Sequence, residues 1–309
     1  MKVLVTGGAG YLGAALVPAL LDAGHDVTVL DSFRHGVPSL AACCHHPRFA
    51  LVRGDARGGE LKRLVAKADA IIPLAALVGA AACDRDPTAA ITTNENAIDA
   101  LYRAASREQL ILYPNTNSGY GAGGAAECTE DTPLQPLSLY GSLKAHAEAI
   151  VLEHPNGLSF RFATLFGASP RMRLDLLVND FVYRAVRDRA LTLFEGGFRR
   201  NYLHVRDAAS AFVFALEAEH YKSMAGYAFN VGLSDANLTK RALCQRIQRH
   251  VPDFCWFESP IGEDPDQRDY VVSNARIEAT GWRPRHSLDD GITELVKLYQ
   301  MPFEGYCNA

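Results

Sequence analysis

Tyr140 and Lys144 stand four residues apart in a stretch with helical patterning, Ser138-Leu139-Tyr140-Gly141-Ser142-Leu143-Lys144-Ala145-His146-Ala147-Glu148. Residues at that spacing share one face of a helix. A free tyrosine has a pKa of about 10 and is a poor base at neutral pH. An ammonium group beside it favours the phenolate. Such a tyrosine takes the proton of a hydroxyl while hydride leaves the same carbon. The pair by itself carries little weight, because Tyr-x-x-x-Lys recurs by chance on solvated helix faces. Its position carries the argument. It follows an apolar run, Leu110 to Tyr113, that ends in Pro114-Asn115-Thr116-Asn117-Ser118-Gly119-Tyr120-Gly121. Thr116 at the C-terminal end of that strand offers a second hydroxyl for the same oxygen; its bland role is a turn or cap.

The elements that position this chemistry begin at the N-terminus. Val3-Leu4-Val5-Thr6 runs into Gly7, Gly10 and Gly13, and then into an amphipathic segment that ends at Gly24. That is a strand, a tight turn and a helix. One glycine makes the turn, one lets a pyrophosphate approach the backbone, and one lets the helix pack closely. The helix start, with Tyr11 and Leu12, points free N–H groups at the phosphates. A second run, Asp26 to Leu30, ends in Asp31, about 20 residues on, where a ribose-binding carboxylate is expected. Asp31, with Ser32 beside it, selects NAD over NADP, because a carboxylate repels a 2′-phosphate. Arg34 opposes that choice only if it leaves the solvent.

The chain then alternates. Phe49 to Val52 is a third strand, followed by Gly54-Asp55-Ala56, where Asp55 is placed to accept from an adenine amine or to cap the next helix. Glu60 to Lys67 is helical. Ala70 to Leu74 is a fourth strand despite Pro73, which removes a ladder donor. It runs into Ala75-Ala76-Leu77-Val78-Gly79, small residues that let backbone approach a cofactor. Asp86-Pro87 opens a helix carrying Asn94, and Ser159 to Ala163 is a sixth strand. The fold class is therefore α/β, a doubly wound parallel Rossmann sheet with a smaller C-terminal substrate-binding lobe. Residues 1–167 form the NAD-binding part, segments near 201–232 return to it, and 168–309 form mainly the lobe. Arginines gather in the second half at 171, 173, 199, 200 and 206.

Bulk properties bound the function. The chain has 309 residues, 48% hydrophobic, and a formal net charge of −4, which gives no general attraction to nucleic acid. No run of about 18 apolar residues is present, so no membrane partner is expected. The first strand starts almost at Met1, leaving no signal peptide. Seven irregularly spaced cysteines fit reduced thiols in the cytoplasm. Cys43-Cys44-His45-His46 is a loop, since four consecutive residues do not wrap one tetrahedral ion, and no metal is expected.

With these residues in view, the chain resembles the extended short-chain dehydrogenases that act on nucleotide sugars. The resemblance rests on Gly7, Gly10, Gly13, Asp31, Asp55, Leu74-Ala75-Ala76, Asn94, Thr116, Tyr140, Lys144 and Arg161-Phe162. It continues through Arg200-Asn201-Tyr202-Leu203-His204-Val205-Arg206-Asp207, Asn230-Val231-Gly232, Arg268 and Gly281-Trp282. It implies Thr116, Tyr140 and Lys144 as the catalytic trio. Cofactor contacts would include Gly7, Gly10, Tyr11, Leu12, Gly13, Asp31, Ser32, Asp55, Ala56, Leu74, Ala75, Ala76 and Asn94, with Tyr140 and Lys144. It implies Asn179, Arg200 and Arg268 on the nucleotide diphosphate, with Arg171, Arg173, Val78, Asn117 and Ser118 lining the substrate site. A planar guanidinium meets phosphate bidentately.

The subgroup is narrowed by what is missing. The 4,6-dehydratases of this family carry Asp-Glu directly after the threonine, and this chain has Asn117-Ser118. The C3 or C5 epimerases place a cysteine near Ser118. Oxidation and reduction at a single carbon, C4, remain. Residues 73–79, 114–121 and 171–181 resemble bacterial GDP-heptose C4-dehydrogenases of capsule biosynthesis, implying a GDP-linked manno-configured sugar oxidised at C4. The runner-up is a nucleotide-sugar 4-epimerase, and the third reading is a non-catalytic NAD-binding regulator. The resemblance also implies a homodimer through a four-helix bundle built from the helices at 94–105 and 140–153.

Overall fold

In the computed structural model, which describes residues 1–122, 127–262 and 268–302, seven apolar runs build one parallel sheet. They are β1 (Lys2–Thr6), β2 (Asp26–Asp31), β3 (Phe49–Arg53), β4 (Ala70–Pro73), β5 (Leu110–Thr116), β6 (Gly157–Phe162) and β7 (Ala228–Val231). Their order across the sheet is β7-β6-β5-β4-β1-β2-β3. The chain winds outward from β1 through β2 to β3, then crosses back to β4. That reversal opens a crevice at the strand ends between β1 and β4, where ligands bind in open sheets of this kind. Pro73 occupies the last position of β4 opposite Thr6, and the ladder continues through the Leu74 N–H to the Thr6 carbonyl at 2.8 Å. The missing donor thus falls at a strand end, where it costs least.

Alternation along the strands sorts side chains to two faces. Val3, Val5, Val27, Val29, Ile72, Leu112 and Phe160 meet α1 (Gly13–Asp22) and a later helix on one face. Leu4, Leu30, Ile71, Ile111 and Tyr113 meet three helices on the other. These are α2 (Glu60–Val65), α5 (Ala97–Ala104) and α6 (Leu139–Leu152). Between α2 and α5 lie α3 (Ala80–Arg85), α4 (Pro87–Ile91) and a π-helical turn, Thr92–Asn96. Asp86 caps α4 as expected, its carboxylate accepting from the Ala89 N–H, with Pro87 in the first turn. No helix among the described residues is long and apolar enough to cross a membrane.

The second half adds α7 (Leu177–Arg187), α8 (Val205–Ala215), α9 (Ala218–Met224), α10 (Lys240–His250), α11 (Ala275–Ala279) and α12 (Leu288–Gln300). The α8 helix returns to the sheet and packs on α1. By contrast, α7, α10 and α12 bury Val178, Val182, Leu243, Ile247, Ile292 and Leu295 in a separate core. Tyr11, Leu12 and Ala15 of the first turn and α1 pack against that second core. The glycine turn therefore sits between both cores.

Candidate functional site

The turn after β1 is a cradle that only glycine fits. Gly7 has φ +71°, and a Cβ there would lie 2.5 Å from the Ala75 nitrogen, so β1 and the end of β4 are in backbone contact. A Cβ on Gly13 would lie 2.4 Å from the Gly8 carbonyl oxygen, so α1 starts against the turn itself. Gly10 is looser: its nearest neighbour would be the Gly7 carbonyl oxygen at 3.2 Å. Among the described residues, the Tyr11 and Leu12 N–H groups donate to no backbone acceptor, and Leu12 at the helix start makes no side-chain cap. This cradle fits a dinucleotide pyrophosphate.

Asp31 ends β2 beside it. Its two oxygens accept from the Ala9 N–H at 2.8 Å and the Phe33 N–H at 2.7 Å, which ties the carboxylate to the rim of the turn. Ser32 is exposed next to it. Ser39, absent from the sequence reading, donates from Oγ to the Ala9 carbonyl at 2.7 Å and closes the loop onto the turn. A loop hydroxyl without periodic context gives no sequence signal.

Four expected contacts take different partners. Asp55 neither caps α2 nor stands free: Arg57 engages both its oxygens, at 2.9 and 2.6 Å, and this holds its carboxyl below the usual range. Asn94 is buried, and its amide clamps the backbone of Leu77, accepting from the N–H and donating to the carbonyl, both at 2.8 Å. It therefore positions the 74–79 loop rather than presenting its amide to a cofactor. The Tyr11 side chain turns into the second core and donates from its hydroxyl to the Gly167 carbonyl at 2.7 Å. Asn179, fully buried, accepts from the Gly167 N–H at 3.0 Å and donates to the Arg173 carbonyl at 2.9 Å and the Tyr11 hydroxyl at 3.3 Å. Tyr11 and Asn179 form a bolt between turn and lobe. Their amide and hydroxyl are committed there, which a helical or loop pattern does not reveal.

The three catalytic candidates lie on β5 and on α6, which packs against it. Thr116 is the last residue of β5, and its Oγ accepts from the Ser118 N–H at 3.1 Å. Ser138 caps α6 and places Tyr140 in its first turn. Gly141 lets that turn approach: a Cβ there would lie 2.9 Å from Pro136 Cβ and 3.6 Å from the Ser118 carbonyl oxygen. One turn later the Lys144 Nζ lies 4.1 Å from the centre of the Tyr113 ring on β5. The loop Leu74 to Gly79 is half-buried, and Leu77 packs with Cys83, Leu143 and Tyr140. Ala75 and Ala56 line a small gap together with Thr6 and Pro73.

The electrostatics differ from the simple picture of an ammonium that activates its neighbour. Burial pushes the Tyr140 hydroxyl up to about 12, opposed by the positive charges of Arg173 and Arg268. Burial also pulls Lys144 down to about 7, opposed by Glu148 and then Cys83. The charges that favour the Tyr140 phenolate are those of Arg173 and then Arg268. Each group pays its own desolvation.

The lobe supplies the cations. Arg268 Nη1 bonds Ser118 Oγ. Arg200 is buried with its guanidinium over the Tyr270 ring at 5.7 Å. Arg173 pairs with Asp175, and Arg171 donates to the Met172 carbonyl at 2.7 Å with His35 at 3.0 Å. Asn117 is fully buried, and neither atom of its amide has a hydrogen-bond partner among the described residues. Behind Lys144, Glu148 accepts from Asn115 and Ser159, both at 2.6 Å, and pairs with Arg161 at 2.7 Å. The spacing 140, 144, 148 was visible in sequence; the partners of Glu148 come from other strands.

Known proteins resemble this chain over nearly its whole length. The "Low-salt glycan biosynthesis protein Agl12" of Haloferax volcanii is 31% identical over 314 residues, covering 97% of this chain and 98% of that one. A dTDP-glucose 4,6-dehydratase of Streptomyces griseus is 29% identical over 96% of this chain and 93% of its own. The crystal structure of a Thermus thermophilus UDP-glucose 4-epimerase in complex with NAD superposes with a TM-score of 0.81 at 25% identity, over 97% of this chain and 99% of that one. Residues 3–232 match the NAD dependent epimerase/dehydratase family. The chain belongs to that family of enzymes, which modify nucleotide-linked sugars, and its cofactor is NAD.

Proposed function

We propose that this enzyme oxidises C4 of a nucleotide-linked sugar to the ketone, with a GDP-linked manno-configured sugar of the GDP-heptose kind as substrate. The observation that carries the reaction class is the pair after Thr116. Asn117 is a buried amide, and the Ser118 hydroxyl is bonded to Arg268. Neither is an acid, so neither can protonate a leaving hydroxyl as elimination of water requires. The GDP-heptose assignment rests on the resemblance of residues 73–79, 114–121 and 171–181.

Bound NAD supplies the hydride acceptor. Tyr140 takes the C4 hydroxyl proton and Thr116 hydrogen-bonds the same oxygen. Lys144 adds positive charge on the same helix face. Arg200 and Arg268 hold the diphosphate and Arg171 and Arg173 line the substrate site, while the charges of Arg173 and Arg268 favour the phenolate of Tyr140. Val78, at the half-buried loop after β4, and Asn117 face the sugar in this reading. Asn179 acts through the bolt with Tyr11. The same trio serves the second reading, a 4-epimerase that returns hydride to the opposite face, which the likeness to the Thermus thermophilus UDP-glucose 4-epimerase supports. We further propose a homodimer through the outer faces of α5 and α6, and a cytoplasmic location.

The test incubates purified protein and NAD with GDP-mannose, GDP-heptose, UDP-glucose or UDP-galactose. NADH absorbance and the sugar's proton spectrum are followed together. Loss of the C4 proton with a ketone product on a GDP-sugar is the expected result. Interconversion of C4 epimers without net NADH establishes the second reading instead. Tyr140→Phe abolishes turnover and leaves NAD binding intact. If that variant turns over like the wild type, the catalytic assignment is wrong.

A further inference from the structure

We propose that Tyr113 and Glu148 form the seat of Lys144: two positioning residues, one on the sheet and one on the helix, that keep its ammonium charged beside Tyr140. The inference rests on the reading of Tyr140 and Lys144 as the proton-transfer pair. It extends that reading to residues that touch neither sugar nor cofactor.

Tyr113 is 1% exposed and lies three residues before Thr116 on β5. Its ring faces the Lys144 Nζ at 4.1 Å from the centroid. A ring face attracts an ammonium through its quadrupole and does little for a neutral amine, most of all where water is excluded. Lys144 is 4% exposed, so water is excluded here. The Tyr113 hydroxyl has no hydrogen-bond partner among the described residues. The part of Tyr113 that is used is therefore its ring.

Glu148 stands one turn beyond Lys144 on the same face of α6. It is 3% exposed, and its carboxylate is fixed from three directions by Asn115 Nδ2, Ser159 Oγ and the Arg161 guanidinium. A carboxylate so held cannot swing away from the helix face it shares with Lys144. Among the described residues, few other groups face Lys144. Tyr140 lies on its own helix. Cys83 of α3 is fully buried, with its Sγ near the Leu77 carbonyl at 3.6 Å. From the π-helical turn, Glu95 pairs instead with His146 on the outer face of α6 at 3.1 Å. Arg161 of β6 lies behind Glu148 and opposes its effect. Against these, burial alone draws Lys144 toward its neutral form, and Glu148 is the largest influence the other way.

The consequence is a pH dependence of defined sign. Oxidation needs Tyr140 deprotonated and Lys144 protonated. Weakening the seat lowers the Lys144 titration point, so the ammonium is lost at lower pH. The primary experiment reads Lys144 directly in the substrate-free protein, by NMR titration of 13C-labelled lysine side chains. The chain has seven lysines, and Lys144→Arg assigns the resonance. Tyr113→Leu and Glu148→Gln are expected to lower the titration point by about one unit each, equivalent to a roughly ten-fold loss of the protonated fraction above it. Tyr113→Phe, which keeps the ring, leaves it unmoved. If Glu148→Gln fails to fold, because Arg161 loses its counter-charge, the Leu and Phe variants at 113 decide the matter. An unmoved Lys144 in folded Tyr113→Leu, or an equal shift in Tyr113→Phe, overturns the seat. If no sugar is turned over but the titration moves, the seat stands and the proposed reaction fails. If turnover occurs and the titration is unmoved, the reverse holds.

Discussion

Replacing Gly13 by alanine tests the cradle most directly, with Gly10→Ala as its partner. A Cβ at position 13 would sit 2.4 Å from the Gly8 oxygen and 2.6 Å from the Gly8 carbonyl carbon and Cα. All three are backbone atoms in the turn, so no side chain can swing aside. Ordinary contact starts at 3.4 Å, and the start of α1 or the turn must shift by the difference, close to 1 Å. Overpacking of this kind costs about 1–3 kcal/mol. Alanine's better helix propensity, up to about 1 kcal/mol, works in the other direction, so the net loss understates the clash. At about 2–4 °C per kcal/mol for chains of this order of size, the clash alone lowers Tm by roughly 2–12 °C. NAD affinity falls with it, because the shifted turn carries the Tyr11 and Leu12 N–H groups. At Gly10 the added Cβ meets only the Gly7 oxygen, at 3.2 Å. The Gly7 oxygen need give by only a few tenths of an ångström, so Gly10→Ala changes stability by about 0.5 kcal/mol and Tm by no more than about 2 °C, and it loses NAD affinity by occupying the face the phosphates approach. Differential scanning calorimetry with and without NAD, and titration calorimetry for Kd, read both effects. A Gly13→Ala protein with wild-type Tm and wild-type NAD affinity would refute the close-packing argument, and a larger Tm loss at Gly10 would reverse the two roles.

Two further expectations follow from the same geometry. Asn94→Ala removes both bonds to Leu77 and leaves its half-buried N–H without a partner, at about 1–3 kcal/mol; amide exchange at Leu77 accelerates in NMR, and an unchanged rate there contradicts the clamp. Asp289 is drawn down to about 2 chiefly by its hydrogen bond from Arg246, against an unfolded value of about 3.9. A depressed carboxyl stabilises fully above its unfolded pKa and loses that contribution as pH falls through the folded one. The stability advantage of wild type over Asp289→Asn is thus present at pH 7 and shrinks between about pH 4 and 2, measured by urea denaturation; an advantage that grows toward acid pH would contradict the assignment.

The glycine spacing, the run ending in Asp31 and the strand before Thr116 were legible in sequence because each depends on neighbours within a few residues. The alternation of apolar runs with helical segments likewise leads to a doubly wound sheet. Asp55 and Asn94 show the limit of that logic. Their positions were legible, but Arg57 captures the one and the Leu77 backbone the other. A side chain takes the nearest good hydrogen-bond partner, and 17 residues separate Asn94 from Leu77. The bolt is more distant still, since Tyr11 and Asn179 lie 168 residues apart.

The sequence by itself determined the layout: a dinucleotide cradle at the first turn, a tyrosine and lysine on one helix face, and arginines gathered in the second half. Those follow from local backbone sterics and helical periodicity. Tertiary structure alone decided the electrostatic state of the pair. Burial lifts Tyr140 and lowers Lys144, and the charges that counter it come from Arg173, Arg268 and Glu148. The Tyr113 ring reaches Lys144 from another element altogether. Desolvation depends on how many atoms exclude water from a point in space, and that is set only when distant segments of the chain have packed around it.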